Sequence, residues 1–209
     1  MARPTNTAAR RREIAAGLRR VMARKGYEGA SVADIAAAAR LAPGLVHYHF
    51  DSKLDILLAL QDELALQHRQ GLAEALAAAG LSPRARAFAF IDFHLSTRSA
   101  DPEALACWIT LSGQALREPR VKRRHREVVA RWVGVLAEIL AEGARRRELR
   151  AADPGAAACA IVAAIQGYFV LAAVDRTLVP RGSAAPAVRQ MAAGLLGTPP
   201  PRPRRRTKD

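Results

Sequence analysis

Apolar positions along this chain recur at three- and four-residue spacing and hardly ever alternate, the periodicity of helices that bury one face. Ile14, Leu18, Val21 and Met22 mark such a face near the N-terminus. Val121, Val128, Val129, Trp132, Leu136 and Ile139 mark another, on a stretch whose remaining positions are largely arginine. Alternating β-branched or aromatic runs, the signature of half-buried strands, are nearly absent. Ser82-Pro83, Asp101-Pro102 and Asp153-Pro154 each place an N-cap residue before a proline suited to the first helical position. Glu118-Pro119 ends one helix and begins the next, because the residue before proline is pushed out of the α region. These signals predict helices over 7–25, 31–39, 43–49, 52–79, 83–99, 102–117, 120–148, 154–177 and 184–196. The expected fold is all-α, with about nine helices. The terminal stretch 198–209, TPPPRPRRRTKD, offers nothing to pack and is expected to be disordered.

Composition agrees with the pattern. Half of the 209 residues are hydrophobic but only 5% are aromatic, so the core is aliphatic, and the dominant alanine and leucine are strong helix formers. Charge adds something the pattern does not. The net value is +14, and it is segmented: residues 1–55 carry ten Lys/Arg against five acids, and residues 116–150 carry eleven against five. Basic N-terminal segments suit phosphate backbones, to which Lys and Arg bind by releasing condensed counterions. The arginines of 120–148 are read as solvated or rim charges. Cys107 and Cys159 have no CxxC partner and sit in apolar helical patterns, which fits buried packing in a reducing cytoplasm. Gly155 to Val174 is uncharged over twenty residues, about the length of a bilayer span. Its alanine content, its Gln166 and its flanking Asp153 and Asp175 favour a protein-packed helix, and no membrane partner is expected.

The N-terminal pattern has more specific content. A first helix closes at Gly26 and Tyr27, and Ser31 then caps a short helix, with Asp34 three residues on as an acidic near-match to a capping box. Val32 and Ile35 face inward, and Ala36 is small enough for a close helix crossing. After a turn at Arg40 and Leu41, a third short helix runs from Pro43. Two short helices joined by a tight turn and braced by a longer one describe a helix-turn-helix. Its outer face presents Pro43, Gly44, Leu45, His47, Tyr48 and His49. Gly44 permits close backbone approach to phosphate, Leu45 suits a thymine methyl, and His47 suits a base edge. Ser31, at a helix N-terminus, is placed to meet backbone phosphate. Phe50 reads as core, and one of the aromatics, His49 included, has packing against the first helix as its alternative. His47 and His49 point to different helix faces, so no metal site is expected.

The stretch SVADIAAAARLAPGLVHYHFDSKLDIL resembles the DNA-binding region of the TetR (tetracycline-repressor-like) family. Ser31, Ile35, Ala36, Leu41, Gly44, Tyr48, Phe50, Ser52 and Lys53 fall on the family's pattern without a gap, over roughly residues 10–60. Beyond that the likeness is diffuse, toward regulators of the choline and pyrimidine-utilisation type. The resemblance implies that Tyr48, His49 and Lys53 bind phosphates. Two positions depart from the pattern. Arg40 stands where the family has a turn glycine, and Ala42 stands where it has a capping Ser or Thr, with Pro43 as partial compensation.

From about residue 55 onward the chain reads as a helical bundle without enzyme chemistry: no nucleophile–base order, paired acids, phosphate loop or metal-ligand cluster stands out. No cofactor is expected. Phe90, His94, Trp108, Gln114, Gln166 and Phe169, with Asp92, Phe93 and Tyr168, interrupt apolar faces and are candidates to line an effector pocket. Ala160, Ala163, Ala164, Gly167 and Leu171 form a face of mostly small residues, and the last helix offers Val188, Met191, Ala192, Leu195 and Leu196. The resemblance implies that these two helices meet their symmetry mates in a homodimer. The expected organisation is a helix-turn-helix domain over 1–51, a ligand-binding and dimerisation domain over 52–197, and the basic tail 198–209. The expected function is a cytoplasmic repressor released from double-stranded operator DNA by a small-molecule effector. A non-specific basic nucleic-acid-binding protein is the alternative.

Overall fold

The computed structural model describes residues 4–96 and 102–198. Among the described residues there are nine α-helices and no strand: α1 (Pro4–Lys25), α2 (Val32–Ala39), α3 (Pro43–His49), α4 (Lys53–Ala78), α5 (Pro83–Leu95), α6 (Pro102–Gln114), α7 (Pro119–Arg145), α8 (Pro154–Val174) and α9 (Ala184–Leu195). The predicted starts agree to within three residues, since caps and prolines mark them. Ser82 Oγ accepts from the Ala85 amide at 3.3 Å, and Asp153 Oδ1 accepts from the Ala156 amide at 2.9 Å. The ends of α6, α7 and α8 fall three residues earlier than predicted, while α2 ends at Ala39 as predicted. Arg40 (φ 58°) closes α2 and Arg147 (φ 59°) follows α7. Thr198 is the one described residue of the tail; 199–209, and with them the expected disorder, lie outside the described residues, as does the predicted helical stretch 97–99.

The chain divides into two compact units. One holds α1–α3, the first part of α4, α6 and the first part of α7 (described residues 4–70 and 102–129); the other holds the remaining described residues (71–96 and 130–198). In the first, α1 packs on α2, α3 and α6. Ile14, Leu18, Val21, Ile35, Val46, Phe50, Ile56 and Leu57 share one core with Cys107, Leu111 and Val121. Each such aliphatic side chain contributes about 1.5–3 kcal/mol when fully withdrawn from water. The close crossing expected of Ala36 is made by Gly17 on α1: a Cβ there would lie 2.8 Å from the Ile35 carbonyl oxygen and 3.1 Å from the Ala39 Cβ.

In the second unit α5, α8 and α9 pack on one another, and Phe88, Phe90, Ile91, Leu136, Leu140, Ile165, Val188 and Leu196 are buried. Asp92 of α5 pairs with Arg189 of α9. Burial pushes the Asp92 carboxyl up and the arginine beside it pulls it back down. α8 is, among the described residues, the one helix long and apolar enough to cross a membrane by length and composition. Its outer side stays exposed, with Val170 at 52% and Val174 at 74%. The α9 face divides. Val188, Ala192 and Leu196 fill the interior of the unit, while Met191 and Leu195 remain outside. Cys107 is buried as expected, but Cys159 is exposed, since it lies on the outer side of α8 with Ala160 and Ala163.

Candidate nucleic-acid interface

The α2–turn–α3 element is held by local chemistry at both ends of α2. At its start, Ser31 Oγ accepts from the Asp34 amide at 3.0 Å and Asp34 Oδ2 accepts from the Ser31 amide at 3.1 Å, a reciprocal capping box with aspartate in the acidic position. Lys25 Nζ reaches the same carboxylate at 2.6 Å. These donors hold the Asp34 carboxyl far below the usual carboxylate range, with the Lys25 bond the largest cause. At its end, Arg40 adopts the left-handed conformation, and the Arg40 and Leu41 amides close back onto the Ala36 and Ala37 carbonyls. α3 starts at Pro43 with Ala42 as an N-cap that provides no side-chain bond, so the missing cap read from the sequence is a real feature of the structure.

Two arginines of α1 grip this element from behind. Arg11 donates to the His49 carbonyl and lies 3.9 Å from the centroid of the Phe50 ring, fixing the C-terminal end of α3. Arg20 donates to the Ala38 carbonyl at the end of α2. Cations at helix C-termini satisfy carbonyls that have no intrahelical partner and complement the helix dipole. Neither role was legible in the sequence, where both residues read only as part of a basic face.

So braced, α3 turns one side to the core through Val46 and the rest outward. Pro43, Gly44, His47 and Tyr48 are exposed, Tyr48 at 79%, and Leu45 and His49 are half-buried. No atom lies within 4 Å of a Cβ built on Gly44, so its backbone can be approached from outside. The His49 ring meets Tyr48 edge-on at 5.1 Å. Ser31 is exposed at the α2 N-terminus, its hydroxyl engaged in the capping box. Lys53 is tied more closely than expected. Its Nζ donates to the Tyr27 carbonyl at 2.9 Å and the Glu28 carbonyl at 3.3 Å, and sits 4.5 Å from the Tyr27 ring centroid. Burial and three nearby acids push the Tyr27 hydroxyl up to about 12. Lys53 therefore locks the turn after α1 to the start of α4, with one ammonium hydrogen left to point elsewhere.

The effector candidates separate between the two units. Phe90 and His94 come together in the second, with ring centroids 4.2 Å apart and the Trp132 ring 4.6 Å from His94. His94 Nδ1 lies 2.8 Å from the Phe90 carbonyl oxygen and the residue is 1% exposed, so this cluster is closed around the imidazole. Gln166 and Phe169 are half-buried on α8 in the same unit. Trp108 stands in the first unit against His125 at 4.6 Å, with Ser112 Oγ 3.3 Å from His125 Nε2. Gln114 is committed to Glu28, donating at 2.9 Å to the turn between α1 and α2. An open groove of about 470 Å³ in the first unit is lined by Arg11, Asp55, Asp62, Glu63, Arg120 and Arg124 among others. It is strongly ionic, unlike the largely apolar pockets that take small organic effectors. Among the described residues no group of three or more His, Cys, Asp or Glu is placed to hold a metal ion.

A braced three-helix module whose third helix is turned outward defines the helix-turn-helix class of DNA-binding proteins. Residues 14–60 match the family model described as bacterial regulatory proteins, tetR family, and residues 83–197 match the BetI-type transcriptional repressor C-terminal model. The chain belongs to the TetR family of transcriptional regulators. The HTH-type transcriptional regulator BetI of Rhizobium meliloti is 30% identical over 114 residues, which are 54% of this chain and 56% of that protein, little more than half its length. The regulator of the same name from Brucella suis is 27% identical over 191 residues, 91% of this chain and 93% of that protein. Among solved structures, a transcriptional regulator from Saccharomonospora viridis in complex with choline is similar, with TM-score 0.73 and 25% identity over 88% of this chain and 93% of that one.

Proposed function

We propose that this chain is a homodimeric, cytoplasmic repressor that reads operator DNA with α3 and leaves it when a small organic effector binds. The carrying observation is the outward face of α3: exposed Pro43, Gly44, His47 and Tyr48 on a helix braced from behind by α1. Base-edge contacts by His47 and Leu45, and phosphate contacts by Ser31, Gly44, Tyr48, His49 and Lys53, follow from that placement. Dimerisation is supported by the exposed outer sides of α8 and α9, with Gly167, Val170, Leu171, Val174, Met191 and Leu195. An apolar surface of this kind on a soluble regulator calls for a like surface. The same pairing accounts for the apolar length of α8 without a bilayer.

The two-domain organisation with a boundary near residue 51 remains the functional reading, with α4 as the covalent path between DNA-binding and regulatory parts. An effector that favours one arrangement of the C-terminal helices shifts α4, and with it the separation of about 34–36 Å that two recognition helices need to enter successive major grooves. A coupling of about 1–3 kcal/mol is enough to change operator occupancy several-fold. Choline is the first compound to test, given the choline complex of the S. viridis regulator and the BetI-type C-terminal region.

Selection of bound duplexes from a random-sequence library tests the reading. A two-fold symmetric consensus with half-sites about one helical turn apart is expected. Recovery of unenriched DNA would favour the alternative, a non-specific basic nucleic-acid-binding protein, to which the net charge of +14 lends some support.

A further inference from the structure

We propose that the corner between α6 and α7 is a second phosphate-binding surface, carried by Arg117, Lys122 and Arg123, that contacts DNA backbone outside the base pairs covered by α3. The inference rests on the DNA-binding reading above and extends its footprint beyond the helix-turn-helix. On sequence alone Lys122 and Arg123 belong to a solvated basic helix, and Arg117 ends the helix before it. Their placement changes that. The corner lies in the same compact unit as α1–α3, and two tethers fix which end of the unit it occupies. Gln114, the last residue of α6, donates to Glu28 at 2.9 Å, three positions before the Ser31 cap of α2. Arg120, in the first turn of α7, pairs at 2.8 Å with Asp55, two positions after Lys53 in the first turn of α4. The corner therefore stands beside the N-termini of α2 and α4, the two helix ends offered to phosphate.

The charge is sorted by direction. On the side of α7 that meets α4, Arg120 and Arg124 are neutralised by Asp55 and Asp62, each at 2.8 Å. Val121 and His125 turn inward: Val121 is fully buried and His125 packs on Trp108. By helical spacing the opposite side carries Lys122, Arg123 and Arg126, preceded by Arg117 in the turn. All four are exposed, and no ion pair involves them among the described residues; Glu118 and Glu127 are the acids of this stretch. Arginine and lysine so displayed, close to a DNA-binding end and not spent on structure, are placed to release counterions from the duplex.

The test uses the full-length protein, with a 40-bp duplex carrying a site selected from a random library and a 40-bp random duplex. The triple variant Arg117→Gln/Lys122→Gln/Arg123→Gln is compared with the charge-matched control Arg69→Gln/Arg131→Gln/Arg145→Gln. The control residues are likewise exposed and stand further along α4 and α7; Arg69 is about 24 Å along α4 from Lys53 at 1.5 Å per residue. Both variants should keep the wild-type helical circular dichroism, since every changed side chain is exposed. Fluorescence anisotropy against salt should show the slope of log K on log[salt] reduced in the corner variant, by roughly 0.9 per protomer for each phosphate no longer neutralised. The reduction should be the same on selected and random DNA, and the control should keep the wild-type slope. An unchanged slope in the corner variant, or an equal reduction in the control, would overturn the inference while wild-type operator preference leaves the DNA-binding reading standing. Unchanged DNA binding together with reduced binding to phosphatidylglycerol vesicles would assign the corner to a lipid surface and overturn it as well. Absence of sequence preference in the wild type would instead sink the underlying reading.

Discussion

The outward face of α3 and the outward faces of α8 and α9 are built on opposite terms. α3 buries Val46 and shows solvent His47, Tyr48, Pro43 and the open backbone at Gly44. α8 and α9 bury Ile161, Ile165, Val188 and Ala192 and show solvent Gly167, Val170, Val174, Met191 and Leu195. Both surfaces stand on aliphatic cores. One offers hydrogen-bonding groups on a short, tightly braced helix, suited to a polar partner with a fixed donor and acceptor pattern. The other offers small and aliphatic groups on longer helices, suited to a copy of itself. The difference teaches that burial alone does not locate function in this fold; what is left outside does.

The sharpest way to break the comparison is to ask the same of a glycine in each region. Gly17→Leu drives a side chain into the Ile35 carbonyl at the α1–α2 crossing, and overpacking there should cost about 3 kcal/mol and abolish DNA binding. At Gly167 a Cβ would meet nothing within 4 Å, so a larger side chain should be tolerated within the protomer. Thermal melts of Gly17→Leu and Gly167→Ala test this, and equal destabilisation would remove the distinction. Charge on the apolar face is the next largest effect. Gly167→Glu and Leu195→Glu should each give a folded monomer by light scattering, with operator binding weakened through loss of the paired half-site. Dimers in both variants would mean that α8 and α9 do not form the interface.

A smaller effect comes from acid. Burial holds the His68 imidazole down to about 4 from its ordinary value near 6.5, and His125 is shifted in the same direction by burial. A histidine whose folded value lies below its unfolded one binds fewer protons folded than unfolded between the two. Its contribution is complete above about pH 6.5 and is lost as pH falls toward 4. Midpoints of thermal unfolding should decline through that window, and His68→Gln should flatten the decline. The smallest effect is conformational. Arg40→Gly relieves a left-handed residue at the α2 terminus and should stabilise the protein by about 1 kcal/mol, read in urea unfolding.

How much of this was legible depends on where the information lies. Starts of α5 and α8 are written locally, in Ser82-Pro83 and Asp153-Pro154, and the capping box at Ser31 needs only Asp34 three positions on. The outer face of α3 was legible for the same reason, since one short helix with Val46 inward leaves few choices. The end of α2 was legible too, at the Arg40–Leu41 turn, but the end governed by Arg147 was not, because nothing in that arginine announces positive φ. Nor were the partners of Arg11, Lys53, Asp92 and His125, which are fixed by residues 13 to 97 positions away. The six effector candidates illustrate the limit. A polar or aromatic residue on an apolar face marks a tertiary contact without saying which, and Gln114 turned out to hold Glu28 while His94 lies enclosed by Phe90 and Trp132.

The claim that α3 reads bases is tested most directly by His47→Ala, a change at an exposed side chain with no structural partner to lose among the described residues. Dissociation constants for the library-selected duplex and for random duplex should be measured on wild type and variant at physiological salt, about 0.15 M. A loss of about 1–3 kcal/mol is expected on the selected duplex, concentrated at particular base pairs, and almost none on random DNA. Equal loss on both duplexes, or no loss on either, would contradict it.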